Sequence, residues 1–143
     1  MRMLDPTPRA AQSAIFVVRT DGRGLRQLTP YAMNASRPTW SPDGTRIAFS
    51  NNGDNFPAPE QIYVVDVRTG AITQLTHDAL PVRNFLPDWS PDGTRIVFDR
   101  WQGLSHFDLL TMNPDGTGVT TIWSPADGTF DFRPAWGVEG GER

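Results

Sequence analysis

Cysteine is missing from the chain, so a disulfide framework, a thiolate metal site and a cysteine nucleophile are all excluded. Long apolar runs are missing too: aliphatic and aromatic stretches stop at lengths such as Ile15-Phe16-Val17-Val18, far short of a membrane span. Residues Met1 to Pro8 hold no apolar segment of the kind a secretory signal needs, so neither export nor membrane insertion is predicted from this stretch. Runs of like charge are also absent. With 13 Lys+Arg against 16 Asp+Glu, the composition argues against nucleic acid or an anionic membrane as the main partner. The sequence shows no Gly-x-Ser-x-Gly elbow, no Gly-rich phosphate loop and no His-x-x-x-His pair, and its two histidines, His77 and His106, lie far apart.

Gly and Pro are plentiful, 13 of each, and they punctuate short β-branched and aromatic runs. Such a composition belongs to many short strands joined by tight turns. Internal repeats organise them. Trp40-Ser41-Pro42-Asp43-Gly44-Thr45-Arg46-Ile47 recurs residue for residue as Trp89 to Ile96, and Pro134-Ala135-Trp136 begins a degenerate third copy. Ile15-Phe16-Val17-Val18, Ile62-Tyr63-Val64-Val65 and Leu109-Leu110-Thr111-Met112 follow one another at steps of 47 residues. Gln27-Leu28-Thr29, Gln74-Leu75-Thr76 and Thr121-Ile122-Trp123 keep the same beat.

Each period therefore holds four strand-like segments, A to D: Pro-x-Trp, Ile-Ala-Phe or Ile-Val-Phe, Ile-Tyr-Val-Val, and a segment ending at Gln-Leu-Thr. Four strands in a unit of this length predict a β-propeller blade. Ser-Pro-Asp-Gly-Thr places Pro at the φ-locked corner of a turn and Gly where φ must be positive, which predicts a tight A–B hairpin. Asp43 and Asp92 read as turn residues bonded to their own backbone rather than as calcium ligands, since a turn offers one carboxylate where calcium takes several oxygens. Segments B and C are apolar at nearly every position, the pattern of a sheet covered on both faces. Trp40, Trp89, Phe49, Phe98, Ile62 and Leu109 are accordingly expected in the core. Strands are predicted near 15–19, 25–29, 37–41, 46–50, 61–66, 71–76, 86–90, 95–99, 108–112, 119–123 and 133–136.

The string Pro38-x-Trp40-Ser41-Pro42-Asp43-Gly44-Thr45-Arg46-Ile47-Ala48-Phe49, followed by Ile62-Tyr63-Val64-Val65-Asp66 and Gln74-Leu75-Thr76, resembles the WD-like repeat of TolB-type β-propellers, which also occurs in propellers attached to some peptidases. The resemblance covers nearly the whole chain. It implies an all-β, six-bladed propeller that serves as a protein-interaction platform, in the best-known member within a periplasmic envelope complex. It supplies no catalytic residue.

Function in such a ring is expected where the D-to-A and B-to-C loops emerge around the mouth. The D-to-A loops hold Asn34, Arg37, Arg83, Asn84, Asp131 and Arg133; the B-to-C loops hold Asn52, Asp54, Asn55, Phe56, Arg100, Trp101 and His106. Arg and Trp suit recognition of a protein segment, although Arg37 and Arg133, each before Pro, also suit simple pairing with nearby carboxylates. Trp101 and Phe56 equally suit loop packing, and His77 reads as a solvated loop residue. The reading is a non-enzymatic scaffold for a protein partner, with no catalytic residue, metal or cofactor. The alternatives are a piece of a propeller that gates a peptidase and a small-molecule or carbohydrate binder.

One propeller domain is expected over 1–143, with a partial blade at 1–30, full blades at about 36–76 and 85–123, and a closing A strand at 132–137. Three blades cut between A and B would leave apolar faces at both ends. Two chains are therefore expected to complete one six-bladed ring as a homodimer.

Overall fold

The computed structural model describes residues 12–51, 59–103, 106–126 and 134–137. Among the described residues the fold is all-β apart from one 3-10 turn at Tyr31–Met33. Strands β1 (Phe16–Val17) and β2 (Arg26–Gln27) form a short antiparallel ribbon, the C and D segments of a first blade. The second blade runs β3 (Ala35–Trp40), β4 (Arg46–Asn51), β5 (Gln61–Asp66) and β6 (Ile72–Gln74), each antiparallel to the one before. The third repeats this order with β7 (Arg83–Trp89), β8 (Ile96–Trp101), β9 (Phe107–Met112) and β10 (Thr120–Trp123). Among the described residues no helix is long and apolar enough to cross a membrane.

The repeated turn behaves as its residues dictate. In Ser41-Pro42-Asp43-Gly44-Thr45, the Gly44 amide donates to Ser41 O at 2.9 Å and Gly44 takes φ +68°. Asp43 Oδ1 accepts the Thr45 amide at 3.0 Å and the Ser41 hydroxyl at 2.5 Å. Asp92 does the same with Thr94 and Ser90, at 3.0 and 2.6 Å. The Thr45 and Thr94 hydroxyls donate to the same oxygens at 2.9 and 2.8 Å, and three donors on one carboxylate oxygen favour its charged form, so the Asp43 and Asp92 carboxyls fall to a pKa of about 2.

Both faces of the B and C strands are covered, since β4 and β8 each carry four consecutive buried residues. One core layer lies between the first and second blades around Ile15, Leu28, Ile47, Phe49 and Val65. The other lies between the second and third around Ala48, Ile62, Trp89, Ile96, Phe98 and Leu110. Arg46 of the second blade closes this second layer with its guanidinium 4.8 Å from the centre of the Trp89 ring.

Two expected core residues depart from that pattern. Trp89 is 4% exposed beneath the Arg46 guanidinium of the preceding blade, whereas its repeat equivalent Trp40 is 51% exposed. Leu109 is half-buried: it lies on the outer face of the third blade, beside Trp123 and Pro134. The A strands also begin earlier than expected, at Ala35 and Arg83, and each contains a register shift, between Ser36 and Thr39 and between Phe85 and Asp88. At the same point of each bulge a non-glycine residue turns left-handed, Arg37 at φ +55° and Leu86 at +54°. Of the eleventh predicted strand, residue 133 lies outside the described residues and 134–136 carry no strand. The Trp136 amide nevertheless donates to Asp88 Oδ2 at 3.2 Å, and Thr39 Oγ1 donates to Asp88 Oδ1 at 2.8 Å. Asp88 thus links three successive A segments.

Candidate functional site

The junction of the second and third blades is built on a buried polar network. Asn84, fully buried on β7, donates to Gln61 Oε1 at 3.1 Å and to Asp78 Oδ2 at 2.8 Å, and accepts from Arg100 Nε at 3.0 Å. Arg100 Nη2 also reaches Asp78 Oδ2 at 3.1 Å, and Thr76 Oγ1 donates to Gln61 Oε1 at 2.6 Å. Buried polar groups cost free energy unless each finds a partner, and here donors and acceptors from both blades satisfy one another. The Asn84 amide donates to Glu60 O at 2.8 Å, which fixes the start of β5 against β7.

That clamp shapes a cavity of about 670 Å³ where the A strands begin, the B strands end and the C strands begin. Its walls are Arg37, Glu60, Arg83, Phe85, Leu86, Trp101 and Phe107. The left-handed backbone at Arg37 and Leu86 puts both bulges at the cavity wall. Arg37 Nη1 sits 3.2 Å from Glu60 Oε1, with the Arg37 side chain 48% and the Glu60 side chain 15% exposed. The Arg37 guanidinium also lies 5.8 Å from the centre of the Phe85 ring. Arg83 is stacked 5.3 Å from the Trp101 ring centre, and its buried Nε has no acceptor among the described residues. Phe85 and Phe107 meet edge to face at 6.2 Å. Burial pushes the Glu60 carboxyl above the ordinary glutamate range, and the charges of Arg37 and Arg83 pull it back in part.

Of the residues singled out from sequence, Arg37, Arg83 and Trp101 come together in this cavity, while Asn84 and Arg100 support it from beneath. Asn34 sits elsewhere, capping the 3-10 turn and accepting from the Ser13 amide at 3.2 Å. His106 lies on the outer face of the third blade, its Nε2 3.1 Å from Asp108 Oδ1. A smaller cavity of about 190 Å³ lies on that face, walled in part by Asp99, Asp108 and Trp123. Asn52, Asp54, Asn55, Phe56, Asp131 and Arg133 lie outside the described residues. Sequence reasoning missed Glu60, Phe85 and Phe107 in the site, and Gln61 and Asp78 below it. The available signal was Glu60 itself, a carboxylate directly before the Gln61-Ile62 start of a covered strand.

The comparisons with known proteins agree with this architecture. The Tol-Pal system protein TolB of Hahella chejuensis (strain KCTC 2396) is 42% identical over 60 residues, which is 42% of this chain and 13% of that protein. TolB from Acinetobacter baumannii superposes with a TM-score of 0.66 at 21% identity, over 85% of this chain and 29% of its own. The propeller domain of the Trilobed protease from Pyrococcus furiosus gives a TM-score of 0.59 at 18% identity, over 81% of this chain and 36% of that one. The chain thus spans well under half the length of these relatives. The TolB β-propeller domain profile matches residues 6–141, so the repeats, the blades and the match together establish that the chain belongs to the TolB β-propeller domain family.

Proposed function

We propose that the chain is a non-enzymatic binding propeller that takes an extended segment of a partner protein at the junction of its second and third blades. One observation carries this reading: the cavity gathers two guanidiniums and three aromatic rings, the side chains that dominate protein recognition, on a rigid hydrogen-bonded base. A selection of random peptides displayed on phage tests it. Peptides enriched on the wild-type chain and lost on the Trp101→Ala variant are expected; failure of any peptide to enrich would sink the reading.

We also propose that a second copy of the chain completes the ring. Support comes from the two end faces. Trp40 is 51% exposed where the equivalent Trp89 is 4% exposed, and Trp123 and Trp136 are 42% and 37% exposed at the other end. Blade faces of this kind bury one another in a propeller. Sedimentation equilibrium is expected to give a dimer, and a well-folded monomer at micromolar concentration would refute it.

A further inference from the structure

The charges in the cavity restrict its occupant. Arg37 and Arg83 face a single carboxylate, Glu60, so the walls carry one net positive charge. Arg37 is already hydrogen-bonded to Glu60, whereas Arg83 acts on Glu60 through its charge; its guanidinium lies over Trp101, and its buried Nε has no acceptor among the described residues. The aromatic rings Trp101 and Phe107 stand on the same wall. A volume of about 670 Å³ is of the size that ligand sites occupy, and open enough for part of a peptide.

We infer that this cavity is a carboxylate site, which takes an acidic side chain of the bound segment against Arg83 and Arg37 and an aromatic neighbour of that side chain against Trp101 and Phe107. The inference rests on the reading above and names the chemistry of the segment. A carboxylate matches the net charge of the walls. A phosphate dianion would leave one negative charge uncompensated beside Glu60. Arg83 supplies the fork of donors that carboxylates accept, and its stacking on Trp101 holds that fork in place before anything binds. Glu60 opposes the ligand, because both carboxylates compete for Arg37. Removing its charge should therefore tighten binding.

Two synthetic peptides test this by fluorescence or NMR titration of the full chain: acetyl-Gly-Ser-Glu-Phe-Ser-Gly-amide and the same peptide with Gln for Glu. The Glu peptide is expected to bind about fivefold tighter, the size of one partly screened ion pair. Arg83→Gln should reduce the preference below about twofold, Arg37→Gln should weaken it less, and Glu60→Gln should tighten the Glu peptide by about threefold. Circular dichroism on each variant checks that the strands persist, and Arg37→Gln serves if Arg83→Gln does not fold. Equal binding of the two peptides, or a preference unchanged in the arginine variants, overturns the inference. Phage selection separates the two levels: enriched peptides without acidic residues leave the binding reading standing and remove the carboxylate, whereas no enriched peptide removes both. Phenylacetate, used as a free small carboxylate, is expected to compete only weakly; displacement of the Glu peptide at equal concentration would overturn a peptide occupant in favour of a small acid.

Discussion

The two equivalent tryptophans show how much a side chain's contribution depends on what covers it. Trp89 lies under Arg46 in the second core layer, whereas half of Trp40 faces solvent. Trp89→Ala should cost about 3–5 kcal/mol in urea unfolding, the range for a buried aromatic, and Trp40→Ala less than about 1 kcal/mol under conditions where the chain is monomeric. Similar losses for both would show that the exposed face is covered in solution. The turn aspartates lead to a pH prediction. Asp43 and Asp92 have folded values of about 2 against an unfolded value of about 3.9, so the stability they contribute is present above pH 4 and is lost as pH falls towards 2. The double variant Asp43→Asn, Asp92→Asn should therefore flatten the acid limb of the stability profile between about pH 4 and 2. An acid limb as steep as in the wild type would show that these turns do not set it.

At the scale of the element, the strands whose residues are determined by local chemistry were readable, and those shaped by neighbours were not. Apolar continuity revealed β4, β5, β8 and β9, and Pro-Asp-Gly revealed the hairpins between A and B strands. The A-strand bulges were invisible, because the residues that turn left-handed are Arg37 and Leu86, neither of which announces positive φ. The site was half-legible for the same reason. Arg37, Arg83 and Trp101 are expected in loops that a propeller exposes, and the structure instead sets them on β3, β7 and β8; the partnership of Arg37 with Glu60 spans 23 residues within the second blade, and the approach of Arg37 to Phe85 depends on how two blades dock. Glycine turns divide the same way. Gly44 turns in open space, so Gly44→Ala should cost about 1 kcal/mol for its positive φ alone. At Gly116, φ +85°, an added Cβ would meet Leu75 O of the second blade at 2.8 Å. Gly116→Ala should cost clearly more, about 2–3 kcal/mol, because blade contact is strained as well. Equal thermal shifts for the two variants would count against close docking of the third blade's C–D turn.

For the whole molecule, the proposed second copy makes the exposed end faces an association surface, and Trp40→Glu should weaken it without unfolding the chain. Sedimentation should show a dissociation constant raised about tenfold or more, with an unchanged circular-dichroism spectrum. An unaltered dimer would place the contact elsewhere. The linkage through Asp88 has a mechanical consequence. Strands within a blade are zipped by a hydrogen-bonded ladder, while successive A segments are tied at Asp88 by single bonds from Thr39 and from the Trp136 amide. Under tension applied at the two ends of the chain, these ties and the packed faces beside them are the weak links, and a blade yields as a unit once its neighbour has peeled away. Extension should then proceed in jumps of one repeat, and a 47-residue unit drawn out at about 3.5 Å per residue lengthens the chain by roughly 165 Å at each jump.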